Sequence, residues 1–142
     1  MTDGRLLDRL AGVPDRLATA ARSAPAAAAG EWSPSDVVRH LIAVEEEVWH
    51  LRLRHLATVE HPIWAWAEPD RWQGEPGARL DRLLEVYRVA RTATVGMLAA
   101  FDDADWARTG THETFGVLDV AALLEKAADH DEEHLSSLRA AG

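Results

Sequence analysis

Apolar residues recur at helical spacing in four separate segments of this 142-residue chain, and that pattern limits the possible folds more than any other feature. Residues three and four apart share one face of a helix, so each apolar stripe has to be buried against another element. The predicted helices cover residues 5–24, 33–58, 78–101 and 118–139, with few strand signals between them. The sequence therefore predicts an all-α protein, a four-helix bundle that forms a single domain over residues 1–142.

The second segment has the clearest start signal. Ser33 is placed to cap a helix, Pro34 suits the first helical position, and Asp36 lies three residues after the cap. Pro14 interrupts the first segment and predicts either a kink or a break there. The apolar stripe of the second helix consists of Val37, Leu41, Val44, Val48 and Leu51.

One longer connection, rich in tryptophan and proline, is predicted between the second and third helices. Residues 61–77 break the helical pattern with three prolines and two glycines, and they include three tryptophans. Trp64 and Trp66 suggest an apolar wall for a substrate pocket, because aromatic side chains bury a large area. The alternative is that the three tryptophans cover one end of the bundle or a dimer interface.

Composition excludes several classes of function. The chain has no cysteine, so disulfides, thiolate metal sites and a cysteine nucleophile are ruled out. A net charge of −9 argues against nucleic acid or an anionic membrane as a partner. No apolar run reaches transmembrane length, and the N-terminus lacks the layout of a signal peptide. We expect a cytoplasmic protein whose partner is a small-molecule substrate.

Three histidines stand out by their spacing. His130 and His134 lie four apart on the fourth helix and project from the same face, at the border of its apolar side. His40 lies at the flank of the apolar stripe on the second helix. Three imidazole ligands leave coordination positions free for water or substrate, so the set predicts a divalent metal site, with zinc or nickel placed first. The alternative is three ordinary, half-buried histidines.

The segment from His130 to His134 also invites comparison with the metalloprotease pattern His-Glu-x-x-His. Asp131 stands where that pattern requires a glutamate as general base, and the chain ends eight residues after His134 without a third ligand. A metalloprotease is therefore disfavoured.

Two carboxylates accompany the predicted site. Asp131 projects into the apolar face of the fourth helix, where an unpaired charge is costly. It is predicted either to accept a hydrogen bond from a ligand histidine or to pair with a buried donor such as a tryptophan N–H or Arg91. Glu47 lies near His40 on the same helix and is either a fourth ligand, a general base or a solvated side chain.

The motifs around these histidines resemble those of a known family. Residues 32–45 begin with Trp-Ser, continue into a capped helix, and place His40-Leu41 shortly before the acidic Glu45. Residues 106–116, followed by residues 130–135, resemble the closing motif of the same family, the DinB/YfiT-like superfamily. The resemblance implies a four-helix bundle of the DinB type, often a homodimer. It also implies a divalent metal held by His40, His130 and His134, the set that spacing predicts.

The activity implied by the resemblance is of two kinds. Some relatives are S-transferases that use a low-molecular-weight thiol, bacillithiol or mycothiol. A related branch includes a mycothiol-dependent maleylpyruvate isomerase, in which one histidine position is acidic; here all three are histidine. We therefore expect a divalent-metal-dependent enzyme, either a thiol S-transferase or a metal-dependent hydrolase, acting through this site. The alternative is an oligomeric, non-catalytic metal-binding or stress-response module, or a bundle whose histidines only pack.

Overall fold

The computed structural model describes residues 3–140 and is mostly helical. Its helices, in chain order, are α1 (Gly4–Ser23), α2 (Pro34–Val44), a π-helical turn (Glu45–Trp49), α3 (His50–Thr58), α4 (Leu80–Ala99), α5 (Asp103–Trp106) and α6 (Val120–Ala140). Its strands are β1 (Ile63–Trp64), β2 (Thr109–His112) and β3 (Gly116–Asp119). The four predicted helices are confirmed, the second as the continuous run of α2, the π-helical turn and α3.

The expectation of an all-α chain is not confirmed, because the described residues include a three-stranded sheet. Its order is β1-β2-β3, with β1 parallel to β2 and β2 antiparallel to β3. Strand β1 has two residues and β2 and β3 have four each. Strands this short are too brief for alternating hydrophobicity to be recognised in the sequence. The connection after α3 is therefore more than a loop, since it contributes β1 to the sheet.

The predicted start of the second helix is present. The hydroxyl of Ser33 accepts a hydrogen bond from the backbone N–H of Asp36 at 3.1 Å, and the Asp36 carboxylate accepts one from the N–H of Ser33 at 3.0 Å. This capping box satisfies two backbone donors that a helix start otherwise leaves free. The capping box sets the residue at which α2 begins, and therefore the direction in which each side chain of α2 projects, including that of His40.

The register beyond the π-helical turn differs from the prediction. A π-helical turn accommodates one extra residue, which rotates everything after it by about 100° relative to a regular helix. Leu51, predicted on the apolar stripe, is 42% exposed as a result. On a regular helix Leu53 would lie opposite that stripe and Leu56 to one side of it, yet both are fully buried.

The helices pack so that α2 and α6 meet. Helix α1 packs against α4 and α6, and α2 packs against α4 and α6. Two clusters of buried apolar side chains fill the interior, one around Leu53, Trp106 and Leu124 and the other around Leu17 and Ile42. The contact of α2 with α6 brings the two predicted halves of the site together. No helix among residues 3–140 is long and apolar enough to cross a membrane.

Candidate functional site

His40, His130 and His134 converge between α2 and α6. One ring nitrogen from each lies within 4.8 Å of the others, a spacing that suits three ligands of one metal ion. The ring centroids are 5.4 Å apart for His40 and His130, 4.8 Å for His40 and His134, and 4.6 Å for His130 and His134. The predicted convergence of these histidines is therefore present.

The connection between α3 and α4 orients His40. The Nδ1–H of His40 donates to the carbonyl of Pro69 at 2.9 Å, which leaves the lone pair on Nε2 free to act as a ligand. Arg39 holds this segment in place by donating to the carbonyls of Trp72 at 2.9 Å and of Gly74 at 2.7 Å. A metal-binding histidine characteristically donates its other N–H to a carbonyl in this way.

Burial favours the neutral form of two of these histidines, His130 and His134. Desolvation, followed by repulsion from His130 and His40, lowers the pKa of His134 to about 4. Desolvation, followed by His40, also lowers the pKa of His130. Neutral imidazole is the form that binds a metal ion. Nδ1 of His130 is buried and lacks a hydrogen-bond partner among the described residues, which is the state expected of a nitrogen placed for a cation. These residues fit a divalent metal ion.

Asp131 pairs with Arg91, one of the two alternatives predicted for it. The guanidinium of Arg91 donates to Asp131 at 3.0 and 3.1 Å, and on its other side to Glu45 at 2.9 Å twice. Desolvation raises the pKa of Asp131 to about 6, although Arg91 opposes that shift. Asp131 therefore belongs to a buried ion cluster beside the site, and no hydrogen bond joins it to a histidine in the described chain.

Of three further residues predicted for the site, only Trp66 lines the pocket beside the histidines. The other two are Glu47 and Trp64. Glu47 is exposed and does not belong to the group of residues that could hold a metal, which favours a solvated side chain over a fourth ligand among the alternatives given for it. Trp64 is buried in the apolar core, where its Nε1–H donates to His55 Nδ1 at 3.3 Å, and it does not line the pocket beside the histidines. Trp66, which is 53% exposed, does line that pocket.

The pocket has a volume of about 240 Å³ and opens beside the cluster, with His130 in its wall. Its aromatic side is formed by Trp49, Trp66 and Phe115, and its charged side chains include Arg52, Lys126, Glu68, Asp129 and Glu133. Oε1 of Glu68 lies 4.0 Å from Nε2 of His40. The arrangement therefore combines a ligand set, a nearby carboxylate and a space for a small molecule.

Sequence reasoning missed most of this pocket. Arg52 follows Val48 by one helical turn, and a cation next to an apolar stripe is the one feature of the sequence that could have indicated it. His112 and Phe115 belong to the β2–β3 hairpin, which the sequence did not predict. Glu68 lies in the connection after α3, and no periodic pattern there indicates which way a side chain points.

Comparisons with known proteins agree with this geometry. No curated protein matches the chain significantly. Among solved structures, it is similar to YfiT from Bacillus subtilis, described as a probable metal-dependent hydrolase with an unusual four-helix bundle topology. The TM-score is 0.75 at 18% identity, over 94% of this chain and 82% of that one, which shows a shared fold. The sequence profile of the DinB superfamily matches residues 2–138, almost the whole length, and the chain therefore belongs to the DinB superfamily.

Proposed function

We propose that this protein is a divalent-metal-dependent enzyme whose ligands are His40, His130 and His134. The observation that carries the proposal is the convergence of three ring nitrogens within 4.8 Å, beside a pocket whose wall includes His130. A site of three protein nitrogens keeps coordination positions open, which is the arrangement of catalytic rather than structural metal sites. We place zinc or nickel first as the metal.

The chain has no cysteine, so a thiol nucleophile would have to come from outside the protein, as a water nucleophile would. A divalent cation would supply Lewis acidity, which would lower the pKa of a bound water towards about 7 and favour the thiolate form of a bound thiol. Among the chain's own groups, the Glu68 carboxylate is placed to accept the proton that such a nucleophile loses, because its Oε1 lies 4.0 Å from His40 Nε2. The aromatic side chains of the pocket would hold the substrate and exclude water from it.

Two reactions fit this arrangement. Hydrolysis would use water, and the description of YfiT as a probable metal-dependent hydrolase supports it. Transfer to a low-molecular-weight thiol, of the mycothiol or bacillithiol type, would use an added thiol, and the retention of all three histidines supports it through the family resemblance. A metal-binding module without catalysis is the alternative to both.

Paired assays on the metal-loaded protein distinguish these functions. One follows hydrolysis of p-nitrophenyl acetate, and the other follows conjugation of 1-chloro-2,4-dinitrobenzene with mycothiol or bacillithiol. We expect one activity to exceed background and to be lost in His134→Ala, while His61→Ala, which alters an exposed histidine outside the cluster, retains it. Equal rates in wild type and His134→Ala, or a fully loaded protein inactive in both assays, would favour the non-catalytic module.

A further inference from the structure

The pocket beside the histidines contains a buried cation without a counter-ion. The side chain of Arg52 is 7% exposed, and no carboxylate in the described part of the chain forms an ion pair with it. Nη2 of Arg52 donates a hydrogen bond to a neutral acceptor, the carbonyl of Ala65, at 3.1 Å. Desolvation alone lowers the pKa of Arg52. The guanidinium lies 5.8 Å from the centroid of the Trp49 ring and 5.6 Å from that of the Trp64 ring, and these aromatic faces offset part of its charge. Buried charges in proteins are normally paired with an opposite charge, and the described chain supplies no anion to Arg52.

Two further donors line the same pocket. Trp49 is 6% exposed, its ring lies 5.8 Å from the Arg52 guanidinium, and its Nε1–H is buried without an acceptor among residues 3–140. His112 is 2% exposed, and its Nδ1 accepts from the N–H groups of Thr114 at 3.0 Å and Phe115 at 3.3 Å. The proton of the neutral ring is therefore on Nε2, so this side chain also offers a donor.

The wall around these donors combines aromatic surface with charged side chains of both signs. Nζ of Lys126 lies 4.5 Å from the centroid of the Phe115 ring. The rings of Trp66, His112 and Phe115 contact one another, with centroids 4.7 to 6.1 Å apart. The carboxylates of the pocket, those of Glu68, Asp129 and Glu133, form no ion pair with Arg52. An indole N–H without an acceptor and a guanidinium without a counter-ion, beside rings in tilted and edge-on contact, favour a ligand with an anionic end and an apolar body.

We propose that this pocket binds a small carboxylate with an apolar body, anchored by Arg52 with Trp49 and His112 as neutral donors. Lys126 adds positive charge, and the Trp66 and Phe115 rings contact the apolar part. The inference rests on the proposed function in one respect, since it makes this carboxylate the substrate class of the three-histidine site. With its anionic end at Arg52, the rest of the molecule extends towards His130, which lies in the same wall.

The test compares two probes that differ in charge and share an apolar body, 3-phenylpropionate and its neutral amide 3-phenylpropionamide. Binding is measured by isothermal titration calorimetry, on metal-loaded protein and on chelated protein. We expect wild type to bind the carboxylate at least about tenfold more tightly than the amide, as one charged hydrogen-bonded contact requires. Arg52→Met should reduce that preference to less than about threefold, and Lys126→Met should reduce it partly.

Control variants keep the outcome interpretable. Arg88→Met removes an exposed arginine on α4 and should leave the preference unchanged. If Arg52→Met does not fold, Arg52→Lys and Lys126→Met decide, the first by retaining part of the preference and the second by weakening it. Equal binding of the two probes to wild type, or a carboxylate preference that survives Arg52→Met, would overturn the inference. If wild-type protein takes up no metal but still prefers the carboxylate, the metal proposal is refuted and the anion site at Arg52 is not.

Discussion

Burial lowers the pKa of two histidines of the cluster, His130 and His134. His40 is 2% exposed and donates to a backbone carbonyl, while desolvation is the largest influence on the pKa of His130 and of His134. An imidazole whose pKa is lowered to about 4 stays neutral where an ordinary histidine would be protonated. His134 therefore keeps the neutral, metal-binding form at mildly acidic pH, and the lowered pKa of His130 favours the same form.

We predict that the metal-free protein loses stability as the pH falls from about 6.5 towards 4 through His134. The folded-state pKa of His134 lies below the unfolded value of 6.5, so its contribution is complete above 6.5 and is lost as the pH falls towards the folded value of about 4. The loss should be on the order of 1–2 kcal/mol after allowance for solvent screening.

Urea denaturation at several pH values, with wild type beside His134→Gln, measures this effect. The difference between the two proteins is informative because the raised pKa of Asp131 acts in the opposite direction in both. A constant difference between pH 7 and pH 4.5 would contradict the prediction.

The packing around Gly110 leaves no room for a Cβ atom. A Cβ there would lie 2.6 Å from the Trp64 ring and 2.9 Å from the carbonyl of Pro62, which holds β2 through the N–H of Thr111. Gly110→Ala should destabilise the protein by about 1–3 kcal/mol because the ring and strand have to move apart. Gly96→Ala, on α4 with open space around it, is the matched control and should be neutral or stabilising. A thermal denaturation scan in which both variants match wild type would contradict the packing described here.

At the scale of elements, one buried guanidinium joins four of them. Arg91 on α4 bonds to Glu45 in the π-helical turn and to Asp131 on α6. It also donates to the carbonyl of Leu10 on α1 at 3.0 Å. That carbonyl lacks its usual helical partner because Pro14, four residues later, has no N–H. Helix α1 therefore continues through Pro14 without a break, and the freed carbonyl is satisfied from a neighbouring helix.

Replacing Arg91 with methionine should destabilise the protein by about 3–5 kcal/mol, because two buried carboxylates and a backbone carbonyl lose their partner. Arg88→Met, on the same helix, removes only an exposed ion pair and should change the free energy of unfolding by less than about 1 kcal/mol. Urea titrations of both variants give the comparison. Equal destabilisation by the two would mean that the buried cluster contributes nothing beyond surface charge.

The helices could be predicted from the sequence because their caps and stripes are local signals, as at Ser33 and Asp36. The register of α3 could not, since the π-helical turn moves Leu51 outward and Leu53 inward. The convergence of the three histidines could be predicted because His130 and His134 are four apart on the regular helix α6, and because His40 precedes the π-helical turn and keeps its position beside the stripe. The pocket depends on the hairpin carrying His112 and on the segment carrying Pro69, whose positions arise from long-range contacts.

At the scale of the whole molecule, a metal ion would join α2 to α6, which are far apart in sequence. Binding to the folded state alone stabilises a protein by about 2.7 kcal/mol when the free metal is 100 times its Kd. Chelation should therefore lower the Tm of wild type, and should leave the Tm of His134→Ala unchanged. A chelator-independent wild-type Tm, measured by calorimetry, would indicate that the histidines only pack.

The homodimer implied by the family resemblance stays a prediction, which sedimentation equilibrium would test.

The metal content of the purified protein tests the central claim most directly. Elemental analysis after loading with zinc or nickel and removal of the excess should give one metal ion per chain for wild type and for His61→Ala. His40→Ala and His134→Ala should give close to none while their circular dichroism remains that of a folded helical bundle. Stoichiometric metal in His134→Ala, or none in wild type after loading, would contradict the assignment of His40, His130 and His134 as the ligands.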